Sequence, residues 1–220
     1  MTIFEQALSE ERFSTFLNWA AGDRDAAVKI YTSNVLISES LYVPLHILEV
    51  ALRNRIHSVL SETVSPNWFE DERFQKSRHQ KRMLENAKQD VGATSLRKIP
   101  SALIPALTFG YWAAFLGPEY EQLWRASLHK IARADGKYMG RKQLSSRLAP
   151  VRKLRNRIAH YEPILHWDLP KTYADMLQLI EWLSPSAAFW CRAHCRFEAV
   201  WAAQGPSVTS LHITLPPPAP

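Results

Sequence analysis

The stretch SESLYVPLHILEVALRNRIHSVLS, residues 38–61, decides the fold of this chain. Its apolar residues recur at steps of three and four residues, the spacing that places side chains on one face of an α-helix. The pattern predicts one long helix with a continuous buried stripe. Pro44 either starts this helix or kinks it. The stripe consists of Leu41, Leu45, Leu48, Leu52, Ile56 and Val59.

Helical periodicity also dominates on both sides of this stretch. The turn-like Ala21-Gly22-Asp23 separates two apolar-periodic segments near the N-terminus, which indicates a helical hairpin. Further periodic stretches follow Pro100 and extend from about Tyr173 to Ala202. Strand signals are weak by comparison. The sequence therefore predicts an all-α fold, a bundle with additional helices whose short connections make neighbouring helices antiparallel.

Prolines and glycines indicate where individual helices begin and end. Gly117-Pro118 is a predicted helix stop, and residues 119–132 are predicted to continue as helix. Pro150 suits the first turn of a helix, because its missing amide hydrogen would have no intrahelical partner there. We therefore expect a helix from Pro150 to about His160.

The composition is that of a globular protein. Hydrophobic residues make up 46% of the 220 residues and charged residues 22%, enough for one substantial core. We expect a single helical domain over residues 1–204 and a flexible or extended, Pro-rich tail over residues 205–220. The early acids of MTIFEQALSEERF disfavour a secretory signal, and Pro, Glu or Arg breaks the longest apolar runs. These features predict a cytoplasmic protein without a membrane span.

The chain is basic, with 27 Lys and Arg against 21 Asp and Glu and a net charge of +6. This balance permits a polyanionic partner such as nucleic acid. It is also compatible with ordinary solvation of a basic surface. The clustering of the arginines has to decide between the two interpretations.

Both cysteines lie in CRAHC, residues 191–195. Helical spacing places Cys191 and Cys195 on one face with His194 beside them, which suggests a metal site. Structural zinc usually takes four ligands, and no second Cys/His pair stands at a suitable spacing in the sequence. We therefore expect reduced, buried thiols and no metal or other cofactor.

The basic segment PVRKLRNRIAHYEP, residues 150–163, carries the strongest functional signal. Arg152, Asn156 and His160 follow one another at four-residue steps, so they form a polar row on the predicted helix. Arg155 lies between this row and the apolar stripe of the same helix. Its side chain must reach around the helix to approach the histidine.

These residue types suit RNA cleavage without a metal. The reaction needs a proton acceptor for the ribose 2′-hydroxyl, a proton donor for the leaving oxygen, and positive charge around the phosphate. Histidine titrates near neutral pH, and arginine stays cationic with a forked donor set that suits phosphate. His160, at a helix C-terminus, would donate the proton, while Arg152 and Arg157 would bind RNA. The alternative is that His160 caps the helix and the arginines solvate a surface.

A second polar row lies on the long helix. Glu49, Arg53 and His57 stand at successive four-residue steps. A glutamate four residues before an arginine forms an intrahelical ion pair that contributes about 0.2–0.5 kcal/mol. The pattern therefore favours a structural pair within the helix.

Three blocks of the sequence resemble the hallmark blocks of Abi-like proteins, a branch of the HEPN family, and occur in the same order. They cover most of residues 30–165, and the last is similar to the Arg-(Asn)-x-x-x-His pattern of HEPN domains. The blocks are NVLISESLYVPLHILEVALRNRI (34–56), LTFGYWAAFLG (107–117) and LRNRIAHYEPI (154–164).

The resemblance implies a HEPN-type helical bundle, homodimerisation and RNA cleavage at a composite site. By this resemblance, the active-site residues would be Arg155, Asn156 and His160. Many Abi-like sequences carry two histidines after the alanine, whereas here Tyr161 follows the first histidine. One motif per chain favours a dimer in which two copies contribute to one phosphate site.

The function that we expect is that of a metal-independent endoribonuclease acting in antiphage defence (abortive infection) or as a toxin. RNA and a second copy of the chain are the expected partners, with an antitoxin or another defence-system protein as a third. Glu49 and Arg53 are expected to support the site. The alternative is a noncatalytic RNA-binding or protein-interaction module that uses the same basic face.

Overall fold

The computed structural model describes residues 7–92 and 99–210. The predicted all-α class is confirmed, because helices make up most of these residues. The α-helices are α1 (Glu10–Trp19), α2 (Arg24–Ser40), α3 (Tyr42–Thr63), α4 (Arg78–Val91), α5 (Ile99–Ala106), α6 (Phe109–Ala114), α7 (Glu121–Ala126), α8 (Arg141–Ala159), α9 (Leu169–Leu183), α10 (Pro185–His194) and α11 (Phe197–Ser210). Short 3-10 helices occur at Trp68–Glu70, Glu72–Phe74, Pro118–Tyr120 and Leu128–Ile131.

The predicted long helix is α3, and α2 leads into it almost without interruption. The two helices meet at Leu41, whose backbone (φ −81°, ψ −7°) ends one and begins the other. Pro44 lies in the first turn of α3, so it starts the helix rather than kinking it. The apolar stripe from Leu41 to Val59 is buried along its whole length, as the pattern predicts.

The run Arg24–Thr63 is long and apolar enough to cross a membrane, judged by length and composition alone. The buried core helix of a soluble protein meets the same criteria of length and composition. The stripe of α3 packs within the protein's own hydrophobic cluster, which is consistent with a soluble protein. The cytoplasmic location stays a prediction.

The helices pack around α3. It contacts α9 and α10, and α8 contacts α9 as well. At the other side of the bundle, α1 and α11 pack against α2. Helices α3 and α8 thus share α9 as a neighbour, and side chains of both line one groove at the surface. This arrangement positions the site described below.

Aromatic rings fill the core beside α3. The indole nitrogen of Trp68 donates a hydrogen bond to Nδ1 of His57 at 3.1 Å, which ties the 3-10 segment to the long helix. Four rings surround this tryptophan edge to face, with centroids 5.7–6.0 Å away. They belong to Phe69, Phe74, Trp112 and Phe115.

The predicted helix over residues 119–132 is only partly correct. Short helical turns and α7 occupy the region, and a small hairpin follows, in which β1 (Arg133–Ala134) pairs antiparallel with β2 (Lys137–Tyr138). Asp135 (φ 49°) and Gly136 (φ 74°) both adopt the left-handed conformation. A two-residue Asp-Gly turn of this kind matches the twist of the strands, so it reverses the chain.

The predicted start of a helix at Pro150 is wrong. Helix α8 begins at Arg141, and Pro150 lies inside it. A proline inside a helix typically costs about 3 kcal/mol, since a hydrogen bond is lost and its ring crowds the preceding turn. Leu144, Leu148 and Val151 form a buried stripe that passes the proline, and burial of these side chains offsets that cost.

The last helix continues beyond the expected domain boundary at 204. Residues 205–210, expected to be the start of a flexible tail, are helical, since α11 ends at Ser210. Residues 211–220 lie outside the described residues, so the rest of the tail stays a prediction.

Candidate functional site

A groove opens at the surface between α3 and α8. Its volume is about 340 Å³. The charged side chains that line it are Glu49 and Arg53 of α3 and Arg155 of α8. Ile158 and Val50 form apolar parts of its wall. The structure therefore brings Arg155 of the motif together with Glu49 and Arg53, the two residues that were expected to support the site. Arg155 is far from both of them in the sequence.

An ion pair crosses the groove. Nη2 of Arg155 lies 3.6 Å from Oε2 of Glu49, and these side chains are 37% and 28% exposed. Exposed pairs of this kind contribute only about 0–1 kcal/mol, because water screens them. Glu49 thus pairs with an arginine of another helix. The sequence pattern had predicted a pair with Arg53 of the same helix. Arg53 instead donates from Nε to Oδ1 of Asn54 at 3.2 Å.

His160 ends α8. Its backbone amide donates to the carbonyl of Asn156 at 3.0 Å, and its side chain is exposed. Tyr161 follows in the left-handed conformation (φ 57°), and its amide donates to Ile158 at 3.0 Å. The amide of Glu162 reaches back to the carbonyl of Arg157 at 2.9 Å. These bonds form a Schellman motif, which usually places glycine where Tyr161 stands.

The predicted catalytic residues are only partly assembled in one chain. Asn156 and His160 are exposed on α8 but do not line the groove that contains Arg155. The predicted row of Arg152, Asn156 and His160 is solvent-facing throughout. An imidazole at this helix end is accessible to a partner from outside the chain.

The two predicted RNA-binding arginines have different environments. Arg152 is exposed and lines a separate cavity of about 320 Å³, together with Glu119 of the 3-10 helix Pro118–Tyr120. Arg157 donates from Nε to the carbonyl of Pro163 at 3.0 Å and pairs with Glu162 at 3.2 Å. Arg157 therefore holds the turn after α8, on a different side from the groove.

Two groove residues were missed by the sequence reasoning. Tyr42 and His46 line the groove, and their rings are parallel within 8° with centroids 6.1 Å apart. The signal that could have found them is the spacing of Tyr42, His46, Glu49 and Arg53, which places all four on one face of α3. The sequence reasoning extended the row towards His57 instead. That histidine accepts the Trp68 hydrogen bond, and burial lowers its pKa.

Comparison with protein-family models, curated proteins and solved structures gives no match for this chain. The resemblance to Abi-like HEPN proteins therefore stays a prediction. A proposal for the function therefore depends on the motif and the groove.

The cysteine segment shows no metal arrangement. Cys191 is buried, and burial raises its pKa to about 11, which leaves the thiol protonated and unreactive. Cys195 is also a free thiol and donates weakly to the carbonyl of Ser40 at 3.5 Å. His194 stacks on Trp190 with centroids 4.3 Å apart. Among the described residues, no three His, Cys, Asp or Glu side chains form a cluster that could hold a metal ion.

Proposed function

We propose that this protein is a metal-independent endoribonuclease with a HEPN-type bundle, acting in antiphage defence (abortive infection) or as a toxin. The observation that carries the proposal is the position of Arg155. It shares a groove with Arg53, while His160 of the same motif stands exposed at the end of the same helix. Two cationic side chains in the groove, and an accessible imidazole at the end of the helix that carries one of them, are the kinds of group that RNA cleavage needs without a metal.

In the proposed reaction, the ribose 2′-oxygen attacks the adjacent phosphorus and the bond to the 5′-oxygen breaks. Arg155 binds the oxygens of the reacting phosphate and stabilises the charge that develops on them. Arg152, which lines the separate cavity, binds the RNA strand outside the groove. His160 donates a proton to the leaving 5′-oxygen, and Asn156 orients the reacting groups. The products are a 2′,3′-cyclic phosphate and a 5′-hydroxyl. Arg157 contributes by holding the turn that follows His160.

A homodimer would complete this site. Arg155 lines the groove and His160 does not, so one chain supplies half of the required groups near one phosphate. A two-fold axis brings the same surface of two copies together, and the second copy can then supply the base that accepts the 2′-hydroxyl proton. An antitoxin would neutralise the protein by covering this same basic face.

The chemistry can be tested on the substrate. The purified protein is expected to cleave single-stranded RNA in excess chelator and to leave 2′,3′-cyclic phosphate ends. A strand with a 2′-deoxynucleotide at the cleaved position removes the attacking hydroxyl, so cleavage there should stop. Cleavage that needs added metal, or that continues at the deoxy position, would contradict the proposal.

A noncatalytic RNA-binding module is the second candidate. Two observations favour it: Glu49 engages Arg155, and His160 lies outside the groove. In that case the protein binds RNA in a salt-sensitive manner but does not cut it. Arg155→Ala is expected to weaken binding and to lower its dependence on salt by about one phosphate contact. Equal affinity and salt slope for the variant and the wild type would remove Arg155 from the interface.

A further inference from the structure

We propose that Tyr42 and His46 form a stacking platform for one unpaired nucleobase, so that single-stranded RNA is the substrate class of the groove. The inference rests on the proposed function, because it assumes that a nucleotide occupies the groove between α3 and α8. It adds a base-binding subsite next to the phosphate-binding arginines. Neither ring belongs to the Arg-Asn-x-x-x-His motif.

Tyr42 is exposed, and a neighbouring ring orients it. It is a large apolar side chain with 68% of its surface exposed, and it lies outside the buried stripe of α3. The ring of His46, one turn further along the helix, lies parallel to it within 8°. Such a neighbour restricts the tilt of the phenol ring. A flat, exposed π-face that is already oriented loses little conformational entropy when a base stacks on it.

Two cationic side chains lie in the same groove as the rings. Arg53 and Arg155 line the same groove, against one carboxylate, that of Glu49. A nucleotide joins a flat base to an anion, and the groove places a flat ring next to two cations. Its volume of about 340 Å³ falls within the range of small-molecule sites, roughly 300–1,000 Å³. The match in shape and charge favours a nucleotide over a purely apolar ligand.

The platform selects unpaired RNA. In a duplex the neighbouring base pairs cover the face of each base, and the deep major groove keeps side chains from the base edges. A platform can therefore accept a base only from a single strand, a loop or a bulge. Since every base has a π-face, the platform tolerates sequence changes while it rejects paired RNA.

The test measures binding of the full-length protein to a short, fluorescent, single-stranded RNA with 2′-fluoro sugars. These sugars lack the attacking hydroxyl, so binding is separated from cleavage. Tyr42→Leu removes the ring, and Tyr42→Phe keeps it. Phe189→Leu is the matched control, since Phe189 is also exposed (76%) but lies on α10, away from the groove. A duplex and a strand with abasic sites complete the set of probes.

We expect Tyr42→Leu to weaken single-strand binding by about tenfold or more, the typical effect of losing one base-aromatic stack. Tyr42→Phe should stay within about twofold of the wild type, and Phe189→Leu should bind as the wild type does. Abasic sites should weaken binding to the wild type but not to Tyr42→Leu. The duplex should bind the two proteins equally.

Other results would overturn the platform, and they identify which claim fails. If Tyr42→Leu binds as tightly as the wild type while Arg155→Ala binds weakly, RNA binding stands and the platform is wrong. If Tyr42→Leu changes sedimentation from dimer to monomer without a change in RNA affinity, the ring is a dimer contact. If the wild type binds no RNA, the proposed function fails and the platform fails with it.

Discussion

At the residue scale, the side chain of Arg155 is held by the carboxylate of Glu49 across the groove. The pair is partly exposed, so it fixes the direction of the guanidinium at little energetic cost. A phosphate carries the same sign of charge as the glutamate and offers more acceptor oxygens to the arginine fork. In the proposed site, a phosphate would replace Glu49 as the partner of Arg155.

His57 gives a prediction at the same scale. Burial lowers its pKa, and burial together with the charge of Arg157 lowers that of His166. The folded state then binds fewer protons than the unfolded state, so this contribution to stability is complete above about pH 6.5 and is lost as the pH falls. The urea midpoint should drop between about pH 7.5 and pH 5. The drop should be smaller in His57→Gln, and an unchanged pH dependence in that variant would contradict the assignment.

Individual site residues were predictable only where a local pattern marks them. Arg155 and Arg53 follow from helical spacing and from the motif, and both line the groove. Tyr42 and His46 were missed, because the groove that they line is formed by side chains of two helices that lie far apart in the sequence. Arg157 was expected to bind RNA, but no pattern on the helix reveals that it reaches the carbonyl of Pro163.

At the element scale, α8 is the helix that carries the motif. Its length could not be predicted from Pro150 alone, because the local cost of a proline inside a helix is offset by a stripe of buried leucines that pack in the core. The dipeptide Asp135-Gly136 is typical of a hairpin turn. The hairpin was not predicted, because helical periodicity dominates the residues around it. The stripe of α3 was predicted well, since burial on one face is what fixes its period.

The end of α8 provides a test of this account. Tyr161 is 78% exposed and holds a positive φ, a conformation that costs a side-chain-bearing residue about 1 kcal/mol. Tyr161→Gly should therefore stabilise the protein by roughly 0.5–1 kcal/mol in urea unfolding. Tyr161→Ala is the control, because it removes the ring and keeps the strain. A glycine variant that is no more stable than the alanine variant would show that the turn is not strained.

At the scale of the whole molecule, the site is a product of packing. Helix α9 contacts both α3 and α8, and Arg53 and Arg155 of these two helices line one groove. The all-α class could be read from the sequence, whereas the pairing of these two helices could not. His160 is directed to solvent at the end of α8, which fits a site that needs a second molecule to close it.

The proposed reaction needs His160 as a proton donor, so the decisive comparison is RNA cleavage in chelator by the wild type and by His160→Ala. His194→Ala is the matched control, since His194 is an exposed histidine at the end of another helix, α10. With helicity unchanged by circular dichroism, His160→Ala should lose about 100-fold or more of the cleavage rate, as expected for a missing proton donor, and His194→Ala should lose none. A folded His160→Ala that cleaves RNA as fast as the wild type would contradict the account.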